Sequence, residues 1–280
     1  MRISSYQRPD GIVSFGVVEG DVISEASEEI RATYRDVRGL LEAGAAAELK
    51  STGTTFRLGE VSLLPPILQP DKIICIGLNY MSHIKETGRD KPEYPSIFTR
   101  YPSSIVGHRQ SLVRPTVSDQ FDFEGELAVI IGKRTRAVSS ADAMKHVAGY
   151  TCLNDGSIRD YQRHTTQFWS GKNFVGTGSM GPWLVTADEF GDPATRTLQT
   201  RLNGEMVQDA AISDLAFSVP ELVAYLSIVT ELLPGDVIAT GTPGGVGVFR
   251  NPKLFMKPGD EVEVDISGIG TLRNTVVAEG

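Results

Sequence analysis

Apolar residues come in short runs along this chain, and the runs follow different rhythms. Ile12 to Ile23 reads as a hairpin turning at Glu19-Gly20-Asp21, and Leu198 to Gln208 as a second, turning at Asn203-Gly204. Lys257 to Ile266 alternates apolar and polar residues, the period of a half-exposed strand. Lys72 to Gly77 and Leu127 to Ile131 are near-continuous apolar runs, as in strands buried on both faces. Phe56 to Leu64, Pro95 to Arg100 and Val147 to Leu153 predict further strands. Two stretches have helical spacing. Val37 to Leu49 places Val37, Leu40, Leu41 and Ala45 on one face, with Gly39 and Gly44 interrupting it. Val219 to Val229 places Leu222, Val223, Leu226 and Val229 inward, with Pro220 in the first turn. Ser140 to Val147 predicts a short helix capped by Ser140. Leu64-Pro65-Pro66-Ile67-Leu68-Gln69-Pro70 stiffens the chain into an extended connection. The pattern predicts a mixed α/β, β-rich fold, with a small α+β unit over residues 1–68 and a larger domain over 69–280.

Chemistry concentrates where these elements end. Asp122-Phe123-Glu124-Gly125-Glu126 runs into the Leu127–Ile131 strand, so Glu124 and Glu126 share a face, with Asp122 in the same row if the strand reaches back that far. Carboxylates side by side repel unless a cation lies between them, and oxygen-only ligands suit Mg²⁺, Mn²⁺ or Ca²⁺. The same pair also fits a solvated strand start. Asp155 follows the Val147–Leu153 strand, and Asp155, Arg159 and Gln162 have the spacing of one helical face. Arg159 is placed equally well for a simple salt bridge to Asp155. His83 and Glu86 are three apart on one or two helical turns capped by Asn79 or Ser82 and stopped by Gly88. The polar, turn-rich segment after them makes residues 79–94 a candidate lid. Lys172 lies among glycines without completing a phosphate-binding loop, since Thr166 and Asn173 stand at two of the required positions. It is either a cation aimed into a pocket or a surface lysine. The glycines from Gly241 to Gly247 allow backbone N–H groups to approach an anion.

Composition narrows the partners. A net charge of −8 over 280 residues disfavours nucleic acid and anionic membranes. No apolar run approaches the ~20 residues of a membrane helix, and the first residues do not form a leader peptide. Cys75 and Cys152 lack metal-type spacing, as expected of buried thiols in a reducing compartment, so a cytoplasmic location is expected.

Taken in order, these blocks resemble the fumarylacetoacetate hydrolase family over roughly residues 70–276. The resemblance rests on Gly77-Leu78-Asn79-Tyr80 with His83 and Glu86, Phe123-Glu124-Gly125-Glu126-Leu127, and Asn154-Asp155 with Arg159-Asp160-Tyr161-Gln162. It continues through Gly171-Lys172, Leu202-Asn203-Gly204-Glu205, Pro234-Gly235-Asp236 and Thr240-Gly241-Thr242-Pro243-Gly244-Gly245-Val246-Gly247. It implies a mixed β-roll core with a smaller N-terminal domain, assembled as a homodimer. It implies Mg²⁺ or Mn²⁺ at Glu124, Glu126 and Asp155, with Ca²⁺ as a non-native occupant. It places catalysis on His83, Glu86 and Lys172, and substrate contacts on Arg159, Gln162, Thr242 and the adjoining Gly241. Many relatives carry lysine where this chain has Arg100, and some have a longer Gln162–Lys172 spacing; both differences are expected to bear on substrate choice. The implied activity is cleavage of a C–C bond in a 2,4-diketo acid such as an acylpyruvate or a fumarylacetoacetate-like substrate. Oxaloacetate decarboxylation and 2-hydroxy-dienoate isomerisation are alternatives at the same site, and a binding protein that has lost activity is the reading from another class.

Overall fold

The computed structural model describes residues 1–50, 53–88 and 90–280. The strand Gly125–Ile131 lies near the middle of a twelve-stranded mixed sheet, and all seven of its residues are buried. It pairs antiparallel with Val147–Asn154 on one side and Val237–Ala239 on the other. Its alternating side chains enter two different cores, which is why the run is apolar at successive positions. Leu127, Val129 and Ile131 pack with Leu198, Val264 and Leu272 of a second, five-stranded sheet and with the helix Val219–Val229. Ala128 and Ile130 face the other way, into a cluster containing Val37, Leu40 and Leu41.

The N-terminal strands are continuous with the large sheet. Arg2–Gln7 pairs with Gly178–Thr186, bringing Ile3 opposite Leu184. Both expected hairpins form, with Asn203 and Gly204 at positive φ as a two-residue turn requires.

Several elements differ from the sequence expectation. The helix expected over 37–49 stops at Glu42; Gly44 turns left-handed at φ 68°, and a 3₁₀ turn, Ala46–Glu48, follows. The strand expected over 56–64 divides into Thr55–Arg57, a 3₁₀ turn and Ser62–Leu63. Ser139 rather than Ser140 caps the helix after it. Val229, expected inward, is exposed in the last turn of its helix. The helix Glu28–Thr33, with its Ser27 cap, was not anticipated.

The helix Met81–Glu86 is capped from a distance. Neither Asn79 nor Ser82 serves; the Ser82 N–H donates to Asp214 Oδ2 at 3.0 Å. Asn79 instead donates to the Phe217 and Thr240 carbonyls and accepts from the Phe217 N–H. These bonds tie the base of the helix to the 214–217 and 240–242 segments. Among the described residues no helix is long and apolar enough to cross a membrane.

Candidate active site

Strand register assembles the carboxylates. Gly125 pairs with Asn154, so the residues just outside the pair, Glu124 and Asp155, become neighbours, and the Asp155 N–H donates to the Glu124 carbonyl at 2.8 Å. Glu126 lies two residues along on the same face. Carboxylate oxygens of Glu124, Glu126 and Asp155 all lie within 4.8 Å of one another, and all three residues are buried.

Asp122 does not join them. It sits on a separate two-residue strand, Phe121–Asp122, and bonds to Arg159 and to the Gly247 and Val248 N–H groups. The expected row breaks because the strand proper begins only at Gly125.

Three cations surround the triad. Lys172 Nζ lies 2.6 Å from both Glu124 Oε2 and Asp155 Oδ2. Arg159 Nη1 lies 2.6 Å from Glu124 Oε1, and Arg100 Nη1 lies 2.6 Å from Asp155 Oδ1. Arg159 therefore pairs with Asp122 and Glu124, not Asp155. The helix carrying it spans only Arg159–Gln162, so Asp155 is not on its face. Lys172 ends the turn Trp169–Lys172, which approaches that helix so closely that a Cβ on Gly171 would collide with the Gln162 backbone.

The charges are unevenly shared. Burial opposes ionisation of Glu124, but Lys172 and Arg159 hold its carboxyl at about 2. Burial works against the Lys172 charge, yet Asp155 and Glu124 keep its pKa above the ordinary value. Burial, with Asp155 and Glu124 alongside, pushes Glu126 well above the carboxylate range. Among the described residues no cation pairs with Glu126; its Oε2 accepts the Gly241 N–H at 2.9 Å. Three hard oxygen donors, one lacking a positive partner, fit a divalent cation.

Arg100 is fully buried, and each of its donor nitrogens is hydrogen-bonded. Nε meets Ser104 Oγ, Nη1 meets Asp155 Oδ1 and the Gly156 carbonyl, and Nη2 meets the Ser104 carbonyl and Thr177 Oγ1. Its guanidinium therefore fixes Asp155 from behind.

The triad opens onto a cleft of about 510 Å³, with Glu124, Glu126, Arg159, Gln162, Lys172, Thr242 and His83 among its lining residues. His83 Nδ1 lies 3.0 Å from Glu86 Oε2, leaving Nε2 for proton transfer. Glu86 is held in turn by the Gly245 N–H. Burial opposes ionisation of Glu86, but hydrogen bonds from His83 and Gly245 bring its pKa below the ordinary value. Phe249 meets the His83 ring edge-on, centroids 5.8 Å apart. Thr242 Oγ1 donates to the Gly125 carbonyl and accepts from Gln208, whose own Oε1 accepts the Gly125 N–H.

Gln208, Phe249 and His164 were not singled out in the sequence; Arg163, at near-helical spacing with Arg159 and Gln162, lines the cleft with His164 beyond Gln162. His164 follows Arg163 in sequence and Phe249 adjoins the glycine loop, which was the available signal for them; Gln208 had none.

Residues 72–277 match the family described as fumarylacetoacetate (FAA) hydrolase, C-terminal, and residues 1–66 match Rv2993c-like, N-terminal. The chain belongs to the fumarylacetoacetate hydrolase family. The mitochondrial oxaloacetate tautomerase FAHD2A of Homo sapiens is 44% identical over 220 residues, 78% of this chain and 70% of that protein. A fumarylacetoacetate hydrolase structure from Exiguobacterium antarcticum superposes with TM-score 0.89 at 35% identity, covering all of both chains. The maleylpyruvate hydrolase of Sphingobium sp. SYK-6, solved with manganese(II) and pyruvate, superposes with TM-score 0.80 at 30% identity, again over both full chains. As a member of the fumarylacetoacetate hydrolase family the chain is a metal-dependent enzyme, with Mg²⁺ or Mn²⁺ as the cofactor that its buried acidic triad suits.

Proposed function

We propose that the enzyme moves a proton on a 2-oxo dicarboxylate, interconverting the enol and keto forms of oxaloacetate or a close analogue. The observation that carries this reading is that His83, paired with Glu86, lines the same cleft as Glu124 and Glu126 of the triad. Likeness to an oxaloacetate tautomerase supports it.

Glu124, Glu126 and Asp155 would hold the cation. When bound, it would supply Lewis-acid stabilisation of negative charge on the 2-oxo acid oxygens. Arg159 is fixed on one edge and offers the substrate carboxylate its Nη2, which has no partner among the described residues. His83 Nε2 takes the proton from carbon C3 and returns it to the enol oxygen, or the reverse. Glu86 accepts a hydrogen bond from Nδ1–H and so selects the tautomer whose Nε2 can act as the base. Lys172 and Thr242 complete the polar wall, while Phe98, Phe168 and Phe249 limit water. Gly241 acts through its N–H on Glu126. Arg163 and His164 at the rim suit a second carboxylate, which favours dicarboxylates over acylpyruvates that carry a single carboxylate.

C–C bond hydrolysis of a 2,4-diketo acid is the second reading. An oriented His–Glu pair can activate water as readily as it can shuttle a proton, and the manganese–pyruvate relative is a hydrolase. Decarboxylation needs the electron sink without the base. Assays of enol-oxaloacetate, oxaloacetate decarboxylation and an acylpyruvate panel with Mg²⁺ and Mn²⁺ separate the three. Acylpyruvate cleavage without tautomerisation would replace the first reading with the second.

We propose further that the chain divides near residue 68, which the two family matches support. A homodimer is supported by the exposed Ile97 on the edge strand Ser96–Arg100 and the neighbouring Tyr101–Trp169 pair. Sedimentation tests it. A cytoplasmic location is supported by two free, buried cysteines.

A further inference from the structure

Asp122 was expected among the metal carboxylates and instead touches two other parts of the site. Its Oδ2 accepts Arg159 Nε at 2.8 Å and the Val248 N–H at 2.9 Å. Its Oδ1 accepts the Gly247 N–H at 2.8 Å and the Phe123 N–H at 2.9 Å. The carboxylate is fully buried and accepts four hydrogen bonds.

These bonds have a geometric consequence. Nη1 of Arg159 is taken by Glu124 and Gln162, so Asp122 on Nε and Glu124 on Nη1 together fix the guanidinium plane. Its Nη2 is buried without a partner among the described residues, in a side chain that lines the cleft. The same carboxylate anchors the turn Gly247–Phe249, whose Phe249 ring packs on His83. Gly247 is required there, because a Cβ would collide with the Leu254 carbonyl and Asp122 Oδ1. The substrate arginine and the ring behind the base are thus referenced to one side chain.

We propose that Asp122 is a positioning residue: it sets the substrate-facing edge of Arg159 and the 247–249 turn as one rigid wall. This rests on the reading in which Arg159 receives the substrate carboxylate. The variant Asp122→Asn keeps the volume but has one acceptor oxygen, so either orientation of the amide sets its NH₂ against two N–H donors. One choice turns it against Arg159 and Val248, the other against Phe123 and Gly247.

The test measures oxalate binding by calorimetry with Mn²⁺ present, and Mn²⁺ binding alone, for wild type, Asp122→Asn, Arg159→Lys and the double variant. Loss of an oriented charge-assisted bond predicts about 10- to 100-fold weaker oxalate binding in Asp122→Asn. Mn²⁺ affinity should change by less than about threefold, since Asp122 does not touch Glu126 or Asp155. The double variant should be little worse than Arg159→Lys, because both changes disturb one unit. If Asp122→Asn fails to fold, Val248→Pro removes a single donor at a first-turn position that tolerates proline. Compared with Val248→Ala, which keeps that N–H, Val248→Pro should then bind oxalate more weakly. Unchanged oxalate affinity in Asp122→Asn overturns the proposal while leaving the proposed function standing. Equal losses of Mn²⁺ and oxalate binding assign Asp122 a purely structural role and overturn it as well. A wild-type enzyme that binds Mn²⁺ but not oxalate overturns both.

Discussion

Lys172 Nζ lies 2.6 Å from Glu124 Oε2, and both side chains are buried. The lysine also meets Asp155, so one ammonium neutralises part of the charge on two of the three carboxylates. Lys172→Met should therefore strengthen Mn²⁺ binding by about tenfold or more, since like charge at such distances is worth kilocalories in a protein interior. Turnover should fall at the same time. Mn²⁺ titration followed by relaxation or calorimetry checks it; unchanged or weaker binding would show that Lys172 organises the ligands more than it repels the cation.

The His83–Glu86 pair predicts a second result. Glu86→Ala leaves Nδ1 unpartnered, and general acid–base assistance typically contributes about 10²–10⁴-fold. Turnover should fall by a factor in that range with Mn²⁺ still bound. His83→Ala should cost a similar factor, and the double variant little more, because the two act as one group. Additive losses in steady-state kinetics would separate their roles.

Arg100→Lys tests the buried support of Asp155. Lysine offers three donors from one nitrogen and cannot match the planar arrangement that reaches Ser104, Asp155, Gly156 and Thr177. Stability should fall by about 1–3 kcal/mol, the cost of leaving buried polar groups unpaired. Denaturant unfolding measures it, and a wild-type midpoint would contradict it.

His108 predicts a pH effect away from the cleft. Burial, with Arg109 and Arg273 nearby, lowers its pKa to about 4, and its Nδ1 accepts the Arg273 N–H at 3.1 Å. The unfolded chain binds this proton near pH 6.5, before the folded chain does. The contribution is therefore full above about pH 6.5 and is lost as pH falls toward 4. Unfolding measured at pH 7 and pH 4.5 should show a smaller difference in His108→Asn than in wild type. Equal differences would remove His108 from the account.

The carboxylate pair was legible because strand geometry has a strict period: Glu124 and Glu126 share a face whatever the partner strand. Asp155 was legible as a strand end, but its nearness to Glu124 depends on the Gly125–Asn154 register, which no local pattern encodes. Asp122 misled for a related reason. A period of two extends only as far as the strand, and the strand starts at Gly125. The ties from Arg100 to Asp155 and from Gln208 to Gly125 join segments 55 and 83 residues apart, so only the folded chain reveals them. The helix expected over 37–49 broke where its own glycine permits a left-handed turn, a signal present in the sequence.

The central claim is that His83 moves a proton on a 2-oxo dicarboxylate held beside the Glu124, Glu126 and Asp155 carboxylates. The most direct measurement follows conversion of enol-oxaloacetate to the keto form by the loss of enol absorbance, with Mn²⁺, for wild type and His83→Ala at verified metal occupancy. The account predicts acceleration over buffer by the wild type, and about 10²–10⁴-fold less by the variant. A wild-type rate no faster than Mn²⁺ in buffer, or a His83→Ala rate equal to wild type, would contradict it.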